Sequence, residues 1–91
     1  MSYELHFKSQ ALKEWKKLDA PLQIQFKKKL AQRVLNPKVA SDKLHGYDNV
    51  YKIKLRSVGY RLAYEVQDDK IIVLVLKIGK RDKFYNDLLK L

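Results

Sequence analysis

The chain has no cysteine, which excludes disulfide staples, a thiolate nucleophile and cysteine-based zinc sites, and fits a reducing compartment. Long apolar runs are missing as well. The longest, residues 71–76, is far too short to cross a bilayer, and Met1-Ser2-Tyr3-Glu4 opens the chain without the apolar core of a secretory leader. A cytoplasmic protein without a membrane anchor is expected. No internal repeat, low-complexity tract or flexible linker interrupts the sequence, and at 91 residues one hydrophobic core is the default. Residues 1–91 are therefore expected to form a single domain. Acidic residues are few, 10 against 20 lysines and arginines, for a formal net charge of +10. A field of that sign and size selects a polyanion: nucleic acid, an anionic membrane or an acidic protein.

Hydrophobic residues make up 46% of the chain, with Trp15, six tyrosines and three phenylalanines, enough for a folded core. Residues 3–7 alternate apolar and polar side chains, the period of a half-buried strand. Ser9 is placed to cap a short amphipathic helix, with Ala11, Leu12, Trp15 and Leu18 on one side and Lys13, Lys16 and Lys17 on the other. Asp19 before Pro21 starts a second helix, in which Leu22, Phe26, Leu30 and Val34 recur until Asn36-Pro37 stops the pattern. Ile24, Ala31 and Leu35 form a further apolar stripe on this helix, more than packing on one sheet requires and available to a partner. Residues 36–49 lack a period and read as a loop. Strands are then expected at Val50–Leu55, Tyr60–Gln67 and residues 71–78, joined by turns at Ser57-Val58-Gly59 and Asp68-Asp69. The last of them is apolar nearly throughout, as a central strand would be. Asp82 can cap a closing helix with Phe84, Leu88 and Leu91 on one face. The order β-α-α-β-β-β-α predicts an α+β fold: an antiparallel sheet of about four strands, an N-terminal helical hairpin and a short C-terminal helix.

The cations are not spread evenly. Because strand side chains alternate, Lys52, Lys54 and Arg56 share the face opposite Tyr51, Ile53 and Leu55. Arg61 sits opposite Leu62 and Tyr64 in the next strand and can join them. Lys77, Gly79 and Arg81 share a parity in the third, so Arg81 can emerge near the same patch, with Lys80 and Lys83 beside it. Taken singly, each charge is most simply the solvated face of a sheet. Crowded across neighbouring strands, like charges repel, and the group as a whole points to an absent anion. Phosphate fits: Arg61 and Arg81 can clamp its oxygens in planar pairs, while Lys52 and Lys54 supply compact charge. His6 has no second ligand in register and reads as a surface histidine; Lys27-Lys28-Lys29 reads as a solvated helix face, or else as a contact to nucleic acid.

Over nearly its whole length the chain resembles RelE-type toxins of the RelE/ParE superfamily. The resemblance rests on Ala11-Leu12-Lys13-Glu14-Trp15, on Lys43-Leu44 to Gly46, on Tyr51-Lys52-Ile53-Lys54-Leu55-Arg56-Ser57 with Gly59-Tyr60-Arg61-Leu62, and on residues 75–81 ending Gly79-Lys80-Arg81. It implies a RelE-like fold, a role as the toxin of a type II toxin-antitoxin pair, and ribosome-dependent cleavage of messenger RNA in the A site. Lys52, Lys54, Arg61 and Arg81 fall on the family's active positions, and Tyr85 is the candidate for the C-terminal tyrosine that completes the set. The segment from Arg81 to Tyr85 is shorter than in the family, and His45, a candidate RNA contact, stands where a basic residue is usual. The implied reaction is attack of the substrate's own 2′-hydroxyl on the adjacent phosphorus, with no metal or other cofactor. Histidine and carboxylate bases are missing from the patch. A lysine serves as base only when its ammonium is destabilised, and like-charge crowding acts that way; Lys54 is preferred over Lys52. Arg61 would hold the nonbridging oxygens, Arg81 would steady the leaving oxygen, and Tyr85 could stack on a base. The implied partners are messenger RNA, the ribosome with its ribosomal RNA, and a neutralising antitoxin. A ParE-type inhibitor of DNA gyrase and a noncatalytic RNA-binding accessory protein are the alternatives.

Overall fold

The computed structural model describes residues 2–81 and Phe84, arranged as β1 (Glu4–Phe7), α1 (Ser9–Lys16), α2 (Ala20–Arg33), β2 (Val50–Leu55), β3 (Tyr60–Gln67) and β4 (Ile72–Lys80), with a 3-10 turn at Ala40–Asp42. The expected closing helix lies outside the described residues apart from Phe84. Asp19 caps α2 as expected: its carboxylate accepts the Leu22 N–H at 3.1 Å, and Pro21 occupies the first turn. The start of α1 differs. Lys8 takes the cap position without a side-chain bond, and Ser9 is already helical. Sheet and helix meet at this one residue: the Lys8 N–H still donates to the Val75 carbonyl at 2.9 Å while its own carbonyl already accepts the Leu12 N–H at 2.8 Å, so Ser9 falls inside the first turn.

The sheet order is β1-β4-β3-β2. β2, β3 and β4 form the antiparallel meander, whereas β1 joins β4 in parallel, so the sheet is mixed rather than wholly antiparallel. Connectivity explains the difference. The helical hairpin and loop cross the sheet from β1 to the far edge, a crossover that lets β2 run in the direction of β1, and two hairpin reversals then return β4 to that direction. The alternation of a strand does not encode its direction.

Leu22, Phe26 and Leu30 of α2 and Ala11 of α1 pack on Ile53, Leu62, Tyr64, Val66, Val73 and Val75, all buried. Burying a large aliphatic or aromatic side chain contributes roughly 1.5–3 kcal/mol, so this layer dominates stability. Leu12 stays exposed, as do Ile24 and Leu35 of the additional stripe. A bulge at Ala63/Tyr64 pairs Ala63 with Lys77 and Tyr64 with Val75, leaving Leu76 as the extra residue on β4. Leu76 packs in a second, smaller core with Leu44, Val50, Ala63, Tyr47 and Phe84. Val50 and Ala63 alternate with the residues facing the helices, so this cluster lies on the opposite side of the sheet. Ile71, expected as the first residue of the last strand, instead closes the turn before it in the left-handed region, at φ 56°.

Candidate functional site

The β2–β3 register sets the site. Lys54 lies directly opposite Arg61, and Arg61 directly opposite Gly79 across the next pair, so these positions form one row on the face away from the helices. Lys52 sits one row along, opposite Ala63. Gly79 leaves the row without a side chain beside Arg61, and among the described residues a Cβ built there would meet nothing within 4 Å. Arg61 therefore borders open space on the β4 side.

Arg81 follows β4, and its N–H donates to the Gly59 carbonyl at 2.7 Å, prolonging the ladder by one step past Tyr60–Lys80. Gly59 makes this possible by taking φ +70° in the β2–β3 turn, a conformation that costs other L-residues about 1–2 kcal/mol. Arg81 is exposed at that end of the row. Arg61 is 8% exposed; its Nη1 donates to the Tyr60 carbonyl at 3.2 Å, and its buried Nε has no partner among the described residues. A buried donor left unmade costs about 1–3 kcal/mol, more when charged.

Lys52 and Lys54 are half-buried and have no ion pair among the described residues. Within β2–β4 the carboxylate on this face is Glu65, but it lies beyond Lys52, opposite Val50, and accepts from Gln67. Among the described residues the charge around the row is therefore uncompensated and positive.

The remaining candidates are dispersed. Arg56 lies in the turn after β2 and faces the α2 side of the β2 edge rather than the row. Lys80 is the partner of Tyr60, which packs on the main core, so it alternates away from the row. Lys77 is drawn to the outer edge of β4, where its Nζ pairs with Glu14 of α1, and the other Glu14 oxygen accepts the Ile78 N–H at 3.0 Å. His45 is exposed in the turn beside the second core. Lys83 and Tyr85 lie outside the described residues.

Arg33, in the last turn of α2, was not anticipated. Its guanidinium donates to the Lys52 carbonyl at 3.2 Å and the Tyr64 hydroxyl at 2.9 Å, and pairs with Asp42 at 2.5 Å, while Tyr64 donates to the Pro37 carbonyl at 2.6 Å. Burial opposes the Arg33 charge, but its bonds to Tyr64 and Asp42 outweigh that and hold its pKa above the ordinary value. Burial likewise raises the pKa of Tyr64. The network fixes the outer edge of β2, which carries both lysines. A cation at a helix C-terminus was the available sequence signal.

Together these positions can surround one phosphodiester: a recessed guanidinium, an open slot, two amines to one side and a second guanidinium at the end. Sequence and structure comparisons with known proteins point to one family. A family model described as the ParE toxin of type II toxin-antitoxin systems matches residues 5–85. The mRNA interferase toxin RelE of Escherichia coli K12 is 48% identical over 83 residues, covering 91% of this chain and 87% of that protein. The isolated E. coli RelE toxin superposes with a TM-score of 0.87 at 44% identity, covering 98% of this chain and 97% of that one. A chain of the intact E. coli RelBE toxin-antitoxin complex gives 0.85 at 48% identity, covering 87% and 96%.

Proposed function

We propose an mRNA-cleaving role for this chain, which belongs to the RelE/ParE family of toxins from type II toxin-antitoxin systems. It is the toxin of such a pair and acts as an endoribonuclease on messenger RNA held in the ribosomal A site, arresting translation. The observation that carries this reading is the row Lys54–Arg61–Gly79 with Arg81 at its end.

The scissile phosphate sits over Gly79. Arg61 donates to its nonbridging oxygens and stabilises the charge that grows there as the 2′-hydroxyl attacks phosphorus. Lys54, directly opposite Arg61, takes the hydroxyl proton; Lys52 supports the same charge. Arg81 steadies the departing 5′-oxygen electrostatically, since a guanidinium hardly releases a proton, and that oxygen takes its proton from solvent water. The products are a 2′,3′-cyclic phosphate and a 5′-hydroxyl, and DNA is not a substrate because it lacks the nucleophile. Orientation supplies much of the rate: holding the attacking and leaving oxygens in line is worth several kcal/mol, and the ribosome imposes that geometry on the messenger. E. coli RelE forms a complex with its antitoxin RelB; a cognate antitoxin neutralises this chain in the same manner.

The test incubates purified protein with translating ribosomes and a defined messenger, with naked RNA as control, and maps the fragment ends. Cyclic phosphate ends that require ribosomes are expected. Intact messenger on ribosomes, with gyrase inhibited instead, would replace this reading with the ParE-type one.

A further inference from the structure

A cleft of about 400 Å³ opens between α2 and the end of β2, on the other side of the β2 edge from the Lys54–Arg61 row. Gln25 and Lys29 of α2 form one wall; Lys54, Arg56 and Ser57 form the other. Asp42 also lines it, but its carboxylate is already held by Arg33 at 2.5 Å. Lys29, Lys54 and Arg56 have no ion pair among the described residues. Among the described residues the cleft thus gathers cationic side chains, a hydroxyl and an amide donor, and the carboxylate lining it, Asp42, is already paired with Arg33.

We propose that this cleft binds a second phosphodiester of the RNA backbone, next to the one under attack, with Lys29 and Arg56 as its charged contacts and Lys54 bridging the two positions. This rests on the cleavage function proposed above. Three observations favour an RNA backbone over an acidic protein segment: continuity with the row through Lys54, three cations lining one cleft, and a hydroxyl and an amide among the same lining residues. Lys29 is a positioning contact. It touches the backbone beside the reaction and holds the strand so that the scissile linkage stays over Gly79. The phosphodiester is therefore the messenger's, and a ribosomal RNA phosphate in the cleft is the competing outcome that the experiment separates.

Lys29 is exposed on a helix, so Lys29→Ala should fold normally, with Lys29→Arg as the charge-retaining control. The affinity of each protein for ribosomes is measured against salt concentration, with and without messenger in the A site. In parallel, cleavage is followed on a messenger carrying one neutral methylphosphonate linkage beside the scissile one. Loss of one phosphate contact makes the log-log salt slope shallower by about 1, and Lys29→Arg restores it. If the messenger supplies the phosphate, the neutral linkage slows wild type but not Lys29→Ala. If ribosomal RNA supplies it, Lys29→Ala weakens binding equally with and without messenger, and the neutral linkage affects both proteins alike. The first result supports the assignment; the second overturns it, because a ribosomal RNA phosphate in the cleft is not the neighbour of the scissile linkage. Unchanged affinity and slope in Lys29→Ala, while wild type cleaves in the same preparation, overturns the cleft alone. So does a defect confined to inhibition by an acidic antitoxin segment. Failure of wild type to cleave ribosome-bound messenger overturns the function beneath it.

Discussion

The guanidinium of Arg33 and the backbone carbonyl of Lys52 lie 3.2 Å apart across the outer edge of β2. β2 is an edge strand, and an edge strand's unpaired carbonyls leave it free to slip or recruit another chain. Here the Val50 carbonyl accepts the Leu44 N–H at 2.9 Å and the Lys52 carbonyl accepts Arg33. The strand that carries the lysines is thereby fixed from its open side.

Arg33→Ala should therefore cost about 1.5–3 kcal/mol of stability, read from urea denaturation, and lower cleavage although Arg33 is not proposed to touch RNA. Tyr64→Phe should cost about 1–3 kcal/mol, because it strips a partner from both Arg33 and Pro37. A neutral outcome for both would show that the network does not position β2.

For Arg61 the expectation concerns rate rather than fold. Arg61→Ala should slow cleavage by about 10²–10³-fold, the loss of one preorganised oxyanion donor, while ribosome binding persists. Arg61→Lys should recover only part, since an ammonium cannot make the planar pair. Parallel loss of binding and cleavage would reduce the row to a docking surface.

Gly79→Val probes the slot directly. A branched side chain suits a strand and meets nothing within 4 Å at this position, so the melting temperature should hold. Cleavage should fall at least about tenfold, roughly 1.4 kcal/mol of barrier, because the isopropyl group occupies the space assigned to the phosphate. Full activity in a well-folded Gly79→Val would place the substrate elsewhere.

Much of this was legible beforehand. The strands Val50–Leu55 and Tyr60–Gln67 and the α2 start at Asp19-Pro21 stand as expected, because alternation and capping are local signals. Lys54 and Arg61 could be assigned a common face from parity, and the register places them directly opposite. The fate of Lys77 was not legible. Parity placed it with Arg61, but the bulge at Ala63/Tyr64 and a carboxylate 63 residues earlier in sequence decide otherwise. Arg33 and the cleft at Lys29 likewise arise from α2 packing on β2, which no local pattern records.

Ile71 offers a stability gain. A β-branched residue at φ 56° carries about 1–2 kcal/mol of backbone strain, and asparagine tolerates that region better. Its carbonyl bond from Glu4 at 2.9 Å does not depend on the side chain. Ile71→Asn should gain about 0.5–1 kcal/mol after the loss of partial burial, raising the melting temperature by a few degrees. A lower melting temperature would mean that Ile71 packing outweighs its strain.

Asp68 accepts from Lys38 at 2.5 Å and from the Tyr3 hydroxyl at 2.8 Å. The Lys38 bond, then the Tyr3 bond, lowers the Asp68 pKa, while the bond to Asp68 raises those of Lys38 and Tyr3. A depressed carboxyl stabilises the fold above its unfolded pKa and stops doing so as pH falls through the folded one, below about pH 4. The raised lysine and tyrosine contribute below their unfolded values, and that contribution fades as pH rises past about 10. Denaturation across pH should show Asp68→Asn flattening both flanks relative to wild type; identical profiles would dismiss the clamp.

Among the described residues β4 is the last strand in chain order, yet it lies inside the sheet between β1 and β3 and supplies Gly79. Its pairing with β1 joins Glu4 to Ile72, a closure between distant parts of the chain that is slow by nature. A growing chain that stops short of β4 has the lysines of β2 but neither the slot nor the strand that walls it. The machine that builds this molecule is thus also its proposed target, and it stays out of danger until the final stretch has been threaded into place.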